Sequence, residues 1–257
     1  MKFKYPGNHL TQEAVAPIYS AARGIYQELC QEPIADDAEA LLTRLWDEAN
    51  PRTRAEFEAF YRRSPIVPQE LFQWHEKGGG RRASRAMHAG SIARFLGVRT
   101  FCEYGGGVGS DSVALTKHGL KPIWVCDANE LNIKIIRRMF EVHGERAPAV
   151  FNPLDEDMQG APKPDLLYSS DVFEHIHDLE SFLAPWVKGF KVVIVYAPFG
   201  SNSVQHQHTR YPARSFHRFM AAMGYQKIVF NLAIPPFVYL GREFNRADLI
   251  RRIRSGA

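Results

Sequence analysis

Three things are scarce in this 257-residue chain. Cysteine is the first, with Cys30, Cys102 and Cys126 alone. An odd number without metal-ligand spacing argues against a disulfide framework and for the reduced thiols of a cytosolic protein. Long apolar runs are the second. The longest, Val192 to Phe199, falls far short of the roughly 20 residues a membrane helix needs. The opening stretch, MKFKYPGNHL, lacks the apolar core of a signal peptide. A cytoplasmic protein with no membrane partner is expected. Charge of one sign is the third. Lys+Arg number 32 and Asp+Glu 28, and the net +4 is too mild to point to nucleic acid. What remains is ordinary: 45% hydrophobic and 23% charged residues argue against wholesale disorder. The length suffices to bury a core without disulfides.

The first ninety residues read as helical. Val15, Ile18, Ala22, Ile25, Tyr26 and Leu29 recur at helical spacing within 12–29. Asp36 and Asp37 stand ready to cap a helix over 38–48, with Leu41, Leu42 and Leu45 on one side. A third helix over 54–63 has Phe57, Phe60 and Tyr61 as its apolar face. Ile66-Val67-Pro68 reads as an interruption, followed by a short helix over 69–76. Gly78, Gly79 and Gly80 then form the best hinge in the chain. Beyond it a helix over 81–95 leads into alternating elements. Strands are expected over 100–104, 122–126, 149–151, 166–170, 192–197, 226–231 and 237–242. Helices are expected over 110–118, 131–143, 179–188 and 212–223. This alternation predicts an α/β, doubly wound, mostly parallel sheet. The short link between the last two strands favours an antiparallel pair at one edge.

The segment Glu103-Tyr104-Gly105-Gly106-Gly107-Val108-Gly109-Ser110 sits where a strand turns into a helix. Glycines there let backbone approach a ligand closely, and the helix N-terminus offers free N–H groups. A dinucleotide loop wants a third glycine where Ser110 stands, and a phosphate-binding loop wants a lysine that is absent. Two acids bracket the loop instead. Glu103 lies in the strand, and Asp127 ends the next one. A carboxylate at that second strand end suits a ribose. An acid inside the first strand would repel a pyrophosphate but suits a cationic amino group. The implied ligand carries a ribose and a positive charge.

E-x-G-G-G-x-G followed by a strand-ending acid resembles the first motifs of class I S-adenosylmethionine-dependent methyltransferases. Asp165 to Ile176 resembles the family's fourth strand and the V-x-E-H-I run after it. Asn152-Pro153-Leu154-Asp155 falls where the family often places an adenine-contacting acid. The resemblance spans about Met87 to Arg242. It implies a Rossmann-like sheet of seven strands, with residues 81–257 as the methyltransferase domain and 1–80 as an N-terminal helical cap. It implies S-adenosylmethionine as cofactor. Gly105, Gly107 and Gly109 would let the loop pass under the methionine and ribose. Glu103 would orient the loop or the amino group, and Asp127 would bind the ribose hydroxyls. Ala128 and Asn129 would border the adenine, and Leu154 and Asp155 would meet its amino group. Ser170 and Asp171 would line the methionine end.

Methyl transfer needs alignment and, for a hydroxyl acceptor, removal of a proton. His175 is the candidate base, with a structural histidine as the alternative; His177 reads as surface. Trp74 and His75 from the cap, and His206, His208 and Tyr211 after the fifth strand, are the candidate substrate residues. One of Arg81, Arg82 and Arg85 would pair with the cofactor carboxylate. The H-x-H spacing has no adjoining carboxylate, so no metal is expected. The reading is methyl transfer to a small-molecule acceptor, with no nucleic-acid partner and with homodimerisation left open. Non-methyl chemistry on the same cofactor and a non-catalytic scaffold are the rivals.

Overall fold

A computed structural model describes residues 12–77, 81–156, 161–199, 211–228 and 236–255. Five helices come first: α1 (Gln12–Leu29), α2 (Ala38–Ala49), α3 (Arg54–Arg63), α4 (Ile66–Lys77) and α5 (Arg81–Phe95). Then follow β1 (Thr100–Tyr104), α6 (Ser110–Lys117), β2 (Lys121–Cys126), α7 (Glu130–Val142), β3 (Ala149–Phe151) and β4 (Leu166–Ser170). A 3₁₀ turn at Phe173–His175 precedes α8 (Leu179–Val187), β5 (Val192–Tyr196), α9 (Ala213–Ala222), β6 (Gln226–Ile228), β7 (Phe237–Leu240) and α10 (Arg246–Ser255).

Among the described residues the expected boundaries hold to within a residue or two, with one correction; the end of the strand expected over 226–231 lies outside them. Helix α4 begins at Ile66, three residues before the expected start. Pro68 does not interrupt it. In the first helical turn the missing proline N–H has no intrahelical partner to lose. Asp37 caps α2 as expected, accepting from the Ala40 N–H at 3.1 Å. The triple-glycine hinge lies outside the described residues.

The seven strands run in the order β3-β2-β1-β4-β5-β7-β6. Five are parallel, and β7 pairs antiparallel with both β5 and β6. Strands β4 and β5 are buried on both faces, which is why Val192-Val193-Ile194-Val195 does not alternate with polar residues. Leu167, Val193 and Val195 meet α8 and α9 through Leu183, Trp186 and Phe216. Leu166, Tyr168, Val192 and Ile194 face the opposite layer, with Ile92 of α5.

Helix α1 joins that second layer. Val15, Ile18, Ala22 and Tyr26 share one core with Val113 of α6 and Ile136 of α7. A buried carboxylate fastens it. Asp111 accepts from the Tyr19 hydroxyl at 2.6 Å and from the Tyr168 hydroxyl at 2.8 Å. Helices α2 and α4 make a smaller core of Ala38, Leu42, Ile66 and Val67. The sequence order reverses between β1 and β4, and that opens a crevice at the carboxyl ends of the strands. No helix among the described residues is long and apolar enough to cross a membrane.

Candidate active site

The crevice holds a cavity of about 850 Å³. Its floor is made by strand ends: Gly105 and Gly107 after β1, Asp127 after β2, Ser170 and Asp171 after β4, and Ala197 after β5. Its roof comes from α2, α3 and α4, with Leu42, Phe57, Tyr61, Leu71 and Trp74.

The glycine loop is pinned to β2. The Gly105 and Gly106 N–H groups both donate to the Cys126 carbonyl at 2.9 Å. Gly105 has φ +73°, and a Cβ there would come within 2.2 Å of Val172 Cγ2. Only glycine is tolerated at that position. Gly107 has φ +53° and sits on the cavity wall. Gly109 is set back from the wall, packed on Ile136.

Asp127 is the best-held polar group on the floor. The Gly107 N–H donates to its Oδ2 at 2.7 Å. The Asn129 N–H and Asn132 Nδ2 donate to its Oδ1 at 2.8 and 3.1 Å. Burial pushes its carboxyl up to about 6, and these three hydrogen bonds hold the rise in check. Asn132 Oδ1, buried in the same wall, has no hydrogen-bond partner among the described residues. An orphaned buried acceptor beside a buried carboxylate suits a ligand carrying hydroxyl or amino donors.

At the far end of the floor, Arg85 pairs with Asp171. Its guanidinium lies over Trp74 and Tyr196, 5.8 and 5.6 Å from the ring centroids. Of the three arginines considered from sequence, Arg85 is on the wall; the side chains of Arg81 and Arg82 lie outside the described residues. Asp171 adopts φ +53°, outside the usual range for a non-glycine residue, and donates its N–H to the Tyr196 carbonyl at 2.7 Å.

His175 lies on the wall with its Nδ1 3.1 Å from the Tyr61 hydroxyl. Burial, helped by the charges of Glu70 and Glu174, raises the Tyr61 pKa far above its ordinary value, so the phenol stays protonated. Tyr61 went unread in the sequence except as part of an apolar helix face. Its partner stands 114 positions away, and no local pattern signals such a pair.

Trp74, Ala128, Asn129, Leu154 and Ser170 also line the cavity. Several expected residues do not. Glu103 is buried behind the loop, where it accepts from Ser112 Oγ of α6. Asp155 pairs with Arg62 and is 56% exposed at its side chain. His75 points away from the cavity and packs on Tyr19, with centroids 5.2 Å apart; one step along α4 turns a side chain by about 100° from Trp74. Tyr211 donates to Glu180 and packs on Phe199. His206 and His208 lie outside the described residues.

No family model matches the chain, and no curated protein does. Solved structures do. The fold is similar to magnesium protoporphyrin IX methyltransferase (ChlM) from Synechocystis PCC 6803, solved with bound S-adenosylmethionine. Identity is 14% and the TM-score 0.50, over 82% of this chain and 100% of that one. It is similar to the mitomycin 7-O-methyltransferase MmcR, with 16% identity and a TM-score of 0.50 over 88% of this chain and 74% of that one. A methyltransferase from Clostridium acetobutylicum ATCC 824 matches at 11% identity and a TM-score of 0.50, over 61% of this chain and 90% of that one. The chain spans only 41% of the length of EvdMO1 and 57% of PhzM, whose structures it also matches. At these identities the likeness defines the fold: this is the class I S-adenosylmethionine-dependent methyltransferase fold.

Proposed function

We propose that the protein transfers a methyl group from S-adenosylmethionine to a small-molecule acceptor. The observation that carries this reading is the floor of the cavity. A buried carboxylate, Asp127, and an unpartnered amide oxygen, Asn132 Oδ1, stand beside the left-handed Gly107 at the switch point of the sheet. These groups fit a nucleoside with no phosphate.

When bound, S-adenosylmethionine supplies a methyl group activated on a sulfonium. Asp127 accepts hydroxyls of the ribose. Ala128, Asn129 and Leu154 border the adenine. Arg85, paired with Asp171 here, would hold the cofactor carboxylate. Ser170 and Asp171 face the methionine end. Glu103 and Gly109 support the loop from behind. His175 orients the acceptor or takes its proton, with its ring aimed by Tyr61. Phe57, Leu71 and Trp74 of the roof keep water from the reacting atoms. Helices α2, α3 and α4 act as the cap, and α1 joins residues 81–257 as the body of a cytoplasmic enzyme.

The test is calorimetric titration of the purified protein with S-adenosylmethionine and with S-adenosylhomocysteine. Binding of both at micromolar affinity is expected. No binding of either leaves a scaffold. Release of 5′-methylthioadenosine, with no S-adenosylhomocysteine formed, would replace methyl transfer by other chemistry on the same cofactor.

A further inference from the structure

We infer that Asn129 is a positioning residue that ties the cofactor side of the cavity to the acceptor side through helix α3. This goes beyond the adenine-bordering role given above. It rests on the proposed cofactor only in its last step.

Helix α3 buries none of its residues fully. Its rings pack on Trp46, which belongs to α2 and hence to the roof itself. Toward the floor it makes ring contacts of Phe57 with His177 and Tyr61 with His175, a contact of Arg54 over Phe182, and a set of polar ties. Asn129 Nδ2 donates to the Tyr61 carbonyl at 2.7 Å and to the Ser64 carbonyl at 2.9 Å. Carbonyls at the end of a helix have no intrahelical donor, so these two are open to an outside one. The neighbouring Arg62–Asp155 pair is partly exposed and contributes little.

The amide orientation of Asn129 is fixed by its surroundings. Its Oδ1 caps α7, accepting from the Leu131 and Asn132 N–H groups at 3.0 Å each. A flipped amide would set oxygen against two carbonyls and NH₂ against two N–H groups. Capping alone does not call for asparagine, because aspartate and serine cap as well. What asparagine adds here is the Nδ2 donor.

Tyr61 is thus held at both ends. Asn129 grips its carbonyl and His175 meets its hydroxyl. The Asn129 N–H in turn donates to Asp127 Oδ1 at 2.8 Å. A series of three hydrogen bonds, joined through the Asn129 and Tyr61 side chains, runs from Asp127 to His175. A ligand that fixes Asp127 also steadies the histidine.

The experiment compares wild type, Asn129→Asp and Asn129→Ser by hydrogen exchange, without ligand. Both variants keep a capping oxygen and lose the Nδ2 donor. Exchange across 54–64 is expected to speed up by about tenfold while α7 stays as in wild type. The His175 ring resonances should also shift. Wild-type exchange in α3 and unchanged His175 resonances in both variants would reduce Asn129 to a cap and overturn the inference. A second measurement needs no variant. S-adenosylhomocysteine added to wild type should slow exchange across 54–64; binding without that slowing overturns the coupling. Failure of wild type to bind at all would count against the proposed function instead, and the ligand-free comparison would still decide the role of Asn129.

Discussion

The floor and the roof of the cavity are built on different principles. The floor hangs from strand ends inside a continuous core, and its key donors are backbone groups: Gly105, Gly106, Gly107 and Asn129 N–H. The roof has a small core of its own, and α3 reaches the floor through side chains. A floor of this kind fixes one ligand rigidly. In the roof, α4 is anchored on α1 through Phe72, so the freedom to vary without disturbing what lies beneath falls to α2 and α3. The contrast suits an enzyme with one invariant cofactor and an acceptor chosen by the cap.

The contrast can be broken at either surface. The largest effect is expected at the acceptor end. His175→Ala should lower turnover about 10²–10⁴-fold once an acceptor is known, leaving cofactor affinity as it was. Normal turnover would make the histidine structural. Next comes Gly105→Ala, which forces a Cβ into Val172 at a left-handed position. A loss of about 3 kcal/mol in stability is expected, read by thermal or denaturant unfolding; a wild-type unfolding curve would show that the loop is not rigid. Asp127→Ala should weaken cofactor binding by about 1–3 kcal/mol in calorimetry. Unchanged affinity would remove the ribose assignment.

Acidity sharpens the same residue. The Asp127 carboxyl is raised from an ordinary 3.8 to about 6 in the folded chain. A raised value favours folding below 3.8, and that contribution is lost as pH rises through 6. Between pH 7 and pH 5 the ligand-free protein should therefore gain about 1 kcal/mol relative to Asp127→Ala. Cofactor affinity should fall about tenfold over the same interval as the carboxylate is protonated. Opposite signs in the two measurements, both absent in Asp127→Ala, would identify the group. The smallest effect is expected at the roof's outer tie. Asp155→Ala breaks a partly exposed ion pair with Arg62, so cofactor affinity should change by less than about 1 kcal/mol. A larger loss would return Asp155 to the adenine.

The floor was legible in the sequence because its chemistry is local. Glycines and acids at the ends of strands keep fixed spacings, and the buried run at 192–195 announces a central strand. The roof was not. Tyr61 carries helical periodicity, so it reads as an apolar face, while its hydroxyl meets a histidine more than a hundred positions away. His75 and Trp74 are adjacent in sequence, and only the docking of α4 on α1 decides which faces the cavity. Glu103 kept the right neighbourhood but turned to α6, where Ser112 was one helical turn past the loop. Pro68 read as a break because proline usually is one; only its place in the first turn made it harmless.

Asp111 has a consequence for how the chain is assembled. Tyr19 precedes it by 92 positions and Tyr168 follows it by 57. During synthesis α1 emerges ahead of the elements it packs on, and its hydroxyl anchor is complete only when β4 has arrived. The apolar stripe of Val15, Ile18, Ala22 and Tyr26 meets Phe72 of α4 first and gains its full core only once α6, α7 and β3 have followed; until then it stays open to chaperones or to other nascent chains. A helix is thus made well ahead of the core it joins, and contacts of such long range make folding slow.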